Sequence, residues 1–331
     1  MLVFVTGATG FVGHHVADAL RGAGHTVRCL VRDPSRARLL AEAGDELVAG
    51  DVGDAAALAR GVAGAAAVVH VAGLIAARSA REMFAVNVAG TARLATACAR
   101  AELPPARFVL VSSLAAGGPS GPHRAAVRED DAPRPVSVYG LSKLRGEEAA
   151  RRALGSATAL TVLRPPAVYG PHDRGILELF RAAAAGVRLR IGTRPRRVSI
   201  VHGADLADAV VRALDGPAAA GRTYYVANPE AHAMDALLAR IGAAVGRRGV
   251  ALPLPECAVR AAGVVAEEVA RLRGRVPTFS RDKAREFLAP GWVCDPARAA
   301  LELDWTPRWD LDEGLAATAA WYRAAGWLGG R

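Results

Sequence analysis

Tyr139 and Lys143 stand four residues apart in Tyr139-Gly-Leu-Ser-Lys143. A helix would set both side chains on one face. An ammonium beside a phenol draws the phenol's pKa down from about 10, because the positive charge favours the phenolate. The same ammonium keeps hydrogens to donate to hydroxyls of a bound ligand. A phenol tuned in this way can give or take a proton at an alcohol or a carbonyl near neutral pH. The pair alone also occurs on ordinary solvated helices, so its meaning depends on the elements that would position it.

Those elements begin at residue 2. Leu2 to Thr6 is an apolar run that ends in Gly7-Ala-Thr-Gly10-Phe-Val-Gly13, and a helix-like stretch follows from His15. Strand, glycine loop and helix in this order form the fingerprint of a dinucleotide site. Glycines permit a tight turn and close backbone approach, and the helix N-terminus offers amides to a pyrophosphate. Gly7, Thr9, Gly10, Phe11, Val12 and Gly13 are the candidate cradle. A second strand, Thr26 to Val31, ends in Arg32-Asp33-Pro34-Ser35-Arg36, the place that reads the adenosine ribose. Arg32 and Arg36 favour a 2′-phosphate and hence NADP(H). Asp33 leaves NAD(H) open, unless it caps the helix that starts at Pro34.

The alternation continues. Glu46 to Gly50 reads as a third strand with Asp51 and Val52 at its end, placed to meet adenine or, for Asp51, to cap the next turn. Ala66 to Val71 reads as a fourth strand opening into Ala72-Gly73. A helical stretch from Glu82 to Arg100 carries Asn87. Arg107 to Val111 reads as a fifth strand ending in Ser112-Ser113. This pattern predicts an α/β fold with a doubly wound parallel sheet, the ligand lying across the carboxyl ends of its strands.

Composition narrows the classes. The 331 residues are 52% hydrophobic, enough for a substantial core. No apolar run reaches the roughly 18 residues needed to span a bilayer. Cys29, Cys98, Cys257 and Cys294 are scattered, which fits a reducing cytoplasm and offers neither a disulfide framework nor a metal site. A formal net charge of +10 invites nucleic acid. The arginines are nevertheless dispersed and lack the interleaved aromatics of single-strand binders, so no nucleic-acid partner is expected.

The chain resembles the extended short-chain dehydrogenase/reductases, the superfamily of nucleotide-sugar epimerases and dehydratases, dihydroflavonol reductases and 3β-hydroxysteroid dehydrogenases. The resemblance rests on Thr6-Gly-Ala-Thr-Gly-Phe-Val-Gly13, Gly50-Asp51, His70-Val-Ala-Gly73, Asn87-Val-Ala-Gly-Thr91, Val111-Ser-Ser113, Tyr139-Gly-Leu-Ser-Lys143 and Leu163-Arg-Pro-Pro-Ala-Val-Tyr-Gly-Pro171, covering roughly residues 1 to 215. It implies that Tyr139 is the general acid/base and that Lys143 holds the nicotinamide ribose. It implies further that Ser113 binds the substrate oxygen, that Asn87 supports the site, and that Pro165, Pro166 and Val168 line the nicotinamide pocket. Hydride transfer would then interconvert a small-molecule ketone and a secondary alcohol.

The dehydratase branch carries an Asp-Glu pair where Leu114-Ala115 stands here, so dehydration is not expected. The turn at Arg32 and the stretch Ser112 to Gly117 look more like the reductase and steroid-dehydrogenase branches. A nucleotide-sugar epimerase with tightly bound NAD is the alternative, with Arg194, Arg196 and Arg197 available to a diphosphate. A non-catalytic dinucleotide-binding scaffold is less favoured, because Ser113, Tyr139, Lys143 and all three loop glycines are present. The expected division is a Rossmann domain of residues 1–170 with returning segments near 199–228, and a smaller, mostly helical substrate domain of 171–198 and 229–331. Ser199 to Val201 and Thr223 to Ala227 are read as strands returning to the sheet, and Asp205 as a helix N-cap. The family's habit of homodimerisation is the expectation for assembly.

Overall fold

The apolar runs upstream of Ser112 all form strands. A computed structural model describes residues 1–121, 124–156, 158–277 and 279–329, the side chain of Arg36 excepted. Its strands are β1 (Leu2–Thr6), β2 (Thr26–Val31), β3 (Glu46–Ala49), β4 (Ala67–His70), β5 (Arg107–Val111), β6 (Ala159–Arg164), β7 (Ala167–Tyr169), β8 (Val187–Ile191), β9 (Arg197–Val198), β10 (Ile200–His202), β11 (Thr223–Tyr225), β12 (His232–Ala233), β13 (Val250–Leu254) and β14 (Gly291–Trp292). Its helices are α1 (Phe11–Gly22), α2 (Arg38–Glu42), α3 (Ala55–Val62), α4 (Ala80–Phe84), α5 (Thr91–Ala99), α6 (Leu114–Gly117), α7 (Val138–Leu154), α8 (Leu177–Ala184), α9 (Gly203–Asp215), α10 (Met234–Ala244), α11 (Glu256–Leu272), α12 (Arg281–Leu288), α13 (Ala297–Glu302) and α14 (Leu311–Ala324).

Seven strands pair in the order β3-β2-β1-β4-β5-β6-β11, every neighbour parallel. The chain reverses its direction of travel across the sheet between β1 and β4, the switch point where ligands of such sheets bind. Val3, Phe4 and Val5 are fully buried because helices cover both faces. Val3 and Val5 share a core with Val16, Leu20, Leu206 and Val210 of α1 and α9. Phe4 faces the other way, among Leu58, Leu94 and Leu154 of α3, α5 and α7.

Of the two expected returning strands, only the second reaches this sheet. β11 pairs with β6, whereas β10 pairs with β7 in a separate two-stranded sheet. Pro165 and Pro166 explain the departure. A proline donates no ladder hydrogen bond, so the chain leaves the sheet there and β7 makes a new edge that β10 covers. Asp205 is not the N-cap of α9. His202 holds that place, its Nδ1 accepting the Ala204 N–H at 3.3 Å, while the Asp205 carboxylate accepts the N–H groups of Arg308 and Trp309 at 2.9 and 3.3 Å. Farther on, α8, α10 and α14 enclose a core of Phe180, Leu237, Ile241, Leu315 and Tyr322. Asp310 caps α14, its carboxylate accepting the N–H groups of Asp312 and Glu313.

Candidate active site

The glycine loop is built for close approach. Gly7 has φ +81°, and a Cβ there would lie 2.6 Å from the Ala72 nitrogen. A Cβ on Gly13 would drive into the Gly7 carbonyl oxygen. Gly10 caps α1 with no side-chain hydrogen bond, so no side chain of the loop takes up the first-turn amides. Thr9 and Gly10 are exposed there, and Phe11 and Val12 are half-buried. A loop whose backbone has no room for side chains, ending at an uncapped helix N-terminus, fits a dinucleotide pyrophosphate.

At the end of β2, Arg32 is exposed. Asp33 caps the turn at Pro34–Arg36, its carboxylate accepting from the Ser35 N–H at 3.0 Å and the Ser35 hydroxyl at 2.6 Å. The side chain of Arg36 lies outside those described. Asp51 likewise spends a carboxylate oxygen on a turn, accepting the Gly53 N–H at 2.6 Å. Val52 is buried against Gly90. The Ala72 N–H donates to the Thr6 carbonyl at 3.1 Å, and Gly73 lies where a Cβ would be 3.2 Å from Asn87 Oδ1 and 3.6 Å from Lys143 Nζ.

The long α7 starts at the Ser137 cap and brings Tyr139 and Lys143 onto one side. The Ser113 hydroxyl, which caps α6, favours the phenolate of Tyr139. Lys143 is 9% exposed and its Nζ donates to the Val111 carbonyl at 2.7 Å. Burial pushes the Tyr139 phenol up to about 12, the Ser113 hydroxyl opposing that rise and the Glu286 charge adding to it. Burial also lowers Lys143 to about 8, with the Glu147 charge opposing. The expected lowering of the phenol by the lysine is therefore corrected: Ser113 does the lowering, and burial outweighs it. Pro165 is buried and its carbonyl accepts the Leu114 N–H at 2.8 Å, tying the end of β6 to Ser113; Pro166 and Val168 are half-buried beyond it.

Asn87 occupies a π-helical turn, Ala85–Gly90, inside the expected long helix. Its Nδ2 donates to the Leu74 carbonyl and to Ser142 Oγ, each at 2.9 Å, and its Oδ1 accepts the Leu74 N–H at 2.7 Å. It thus clamps the loop after β4 to the residue preceding Lys143. A π turn is a common local distortion at functional sites.

Other contributors carry weaker sequence signals. Glu147, one turn past Lys143, accepts the Ser112 hydroxyl at 2.5 Å and two Arg164 donors at 3.0 and 2.7 Å, all buried. Its place on the Lys143 face was visible in the spacing. His70 bridges Thr6 at 2.6 Å and Thr91 at 2.8 Å, and burial lowers it to about 3. Asp282 and Glu286 come from α12. Asp282 accepts the Val138 N–H, and Glu286 accepts the Ser137 hydroxyl at 2.7 Å. Nothing local in the sequence joins them to α7.

A parallel sheet with this glycine loop and a Ser-Tyr-Lys cluster at its strand ends defines a dinucleotide-dependent enzyme. The chain belongs to the NAD dependent epimerase/dehydratase family, matching it over residues 3–227. It is 35% identical to the ceramide reductase of Caulobacter vibrioides over 99% of this chain and 96% of that one. It is 28% identical to the 2-alkyl-3-oxoalkanoate reductase of Stenotrophomonas maltophilia over 95% and 97% of the two chains. A short-chain dehydrogenase/reductase superfamily protein of Agrobacterium tumefaciens, solved with bound NAD, superposes with TM-score 0.75 at 28% identity, covering 98% of this chain and 99% of that one. The protein is accordingly an NAD(P)-dependent enzyme of the extended short-chain dehydrogenase/reductase type.

Proposed function

We propose that the protein is an NADP(H)-dependent ketoreductase that interconverts a ketone and a secondary alcohol on a molecule with a long apolar chain, of the 3-oxoalkanoate kind. The observation that carries the chemistry is the buried Lys143 on the same α7 face as Tyr139, its Nζ held by the Val111 carbonyl at 2.7 Å at the strand end that leads to Ser113. The substrate class draws support from relatives named for a ceramide and for a 2-alkyl-3-oxoalkanoate. Residues of the glycine loop, with Arg32, Ala72, Gly73, Lys143, Pro165, Pro166 and Val168, would hold the dinucleotide. When bound, the nicotinamide supplies the hydride. Ser113 holds the substrate oxygen and Tyr139, protonated at neutral pH, delivers the proton to it as the alcohol forms. Lys143 holds a ribose hydroxyl, and Asn87 keeps the neighbouring loop in place. Residues 1–170 and 199–228 serve the cofactor; 171–198 and 229–331 enclose the substrate.

NADP(H) is favoured because Arg32 is exposed while the Asp33 carboxylate is engaged by Ser35. The epimerase alternative loses support because two of its three arginines are occupied. Arg196 donates to Glu256 at 2.5 Å, and Arg197 to the Ala231 carbonyl at 2.8 Å. The test is a fluorescence titration of the purified protein with NADPH and NADH, followed by ketone assays that read loss of nicotinamide absorbance. The expected protein arrives without dinucleotide, prefers NADPH and reduces 3-oxo substrates better as their chains lengthen. Arg32→Ala should erase the preference. Tightly retained NAD with no ketone turnover would shift the assignment to an epimerase.

A further inference from the structure

Helix α11 packs on one side only. Val259 and Gly263 turn inward, and a Cβ on Gly263 would lie 2.9 Å from the Ser280 carbonyl oxygen and 3.1 Å from Ala284 of α12. The opposite side carries Cys257, Ala261, Val264, Val265 and Leu272 at helical spacing, all exposed, with Glu268 between Val264 and Leu272 held by Arg271 and Arg281. Val265 is 61% and Leu272 80% exposed, and Val276 continues the apolar face past the helix end. An aliphatic stripe of this size on an outer helix marks an interaction surface.

The charge around the stripe identifies the partner. Residues 247 to 285 hold nine lysines and arginines against four carboxylates. Every one of those carboxylates is engaged: Glu256 by Arg196, Glu267 by the Arg281 N–H, Glu268 by Arg271 and Arg281, and Asp282 by α7. Arg247, Arg248, Arg260, Arg273, Arg275 and Arg285 are exposed and, among the described residues, make no ion pair with a carboxylate.

We propose that the outward face of α11, together with the arginine-rich turn that follows it, docks on an anionic lipid bilayer surface. Aliphatic side chains flanked by arginines are the composition of a helix that lies in the interface plane, its apolar side in the acyl boundary and its cations among the headgroups. A second copy of this chain would set the same unpaired arginines against one another. The stripe has no aromatic platform of the sort that binds single-stranded nucleic acid. Through α12, which holds the first turn of α7, the docked face sits two helices from Tyr139. The inference stands on the surface itself, and its test uses no turnover, so it can fail or succeed apart from the substrate assignment.

The experiment is flotation of the full chain with phosphatidylcholine vesicles, with and without phosphatidylglycerol. Binding is expected only to the anionic vesicles and should weaken as salt rises. Val265→Asp with Leu272→Asp should abolish it, and Arg273→Gln should weaken it about five-fold, while all variants keep the circular dichroism spectrum and urea-unfolding midpoint of the parent. Absence of binding to anionic vesicles overturns the proposal. Binding that survives the double aspartate change overturns the assignment to this face. A concentration-dependent dimer lost in that double variant, with no vesicle binding, overturns it in favour of a second copy.

Discussion

The carboxylate of Asp282 accepts the backbone N–H of Val138 at 2.8 Å, reaching across 144 residues of sequence to the start of the helix that carries Tyr139 and Lys143. Its other oxygen accepts the Tyr139 N–H at 3.3 Å. Two first-turn amides are thereby satisfied and a negative charge meets the positive end of the helix. Asp282→Ala should cost about 1–2 kcal/mol of stability, read by urea unfolding. Because Tyr139 is itself one of the held residues, turnover should drop several-fold while NADPH affinity is unchanged. Full turnover in this variant would show that α12 braces the fold without setting the tyrosine.

Tyr139→Phe keeps the ring and removes the hydroxyl that Ser113 engages. Turnover should fall by about 10² or more, as for loss of a general acid, with dinucleotide affinity within a few-fold of the parent. Steady-state kinetics beside a cofactor titration separate the two. Ser113→Ala should leave the phenol higher still, since the hydroxyl that favours its phenolate is gone.

The proposed reaction should take its alkaline limit from Lys143. Burial holds it at about 8, below its ordinary value, so its charge is complete on the acid side and is lost as pH rises through 8. Tyr139 keeps its proton until about 12. Ketone reduction should therefore decline on an alkaline limb near pH 8 that belongs to the lysine. A limb that moves in Tyr139→Phe would reassign it to the tyrosine.

Local patterns carried the sheet. Runs such as Leu2–Thr6 and Arg107–Val111 are buried on both faces, and their strands end where the sequence places glycine or serine. The glycine loop and the Tyr139–Lys143 face were legible for the same reason, since a turn and a helix repeat are short-range features. The tuning was not. Whether Lys143 lowers the phenol depends on where its Nζ points, and the Val111 carbonyl that takes it comes from the distant strand β5. Asp282 and Glu286 were invisible because their link to α7 is purely tertiary. The π turn at Asn87 was read as ordinary helix, because the Asn87 bonds to Leu74 leave no mark on the apolar period.

The last prediction concerns Glu147, which joins stability to chemistry. It is paired with Arg164 through two hydrogen bonds, with side-chain exposures of 2% and 6%. Glu147→Ala strands a buried guanidinium, and loss of one partner from such a pair costs about 3–5 kcal/mol. Replacing both residues by methionine removes the charges together and should cost much less, which urea unfolding of the single and double variants will show. Glu147 is also the charge that holds Lys143 up against burial. Without it the lysine should lose its proton at lower pH, so the alkaline limb of ketone reduction should move below 8 in Glu147→Gln. Unfolding without that shift would reduce Glu147 to a structural partner of Arg164. The shift without marked unfolding would make it a tuner of Lys143.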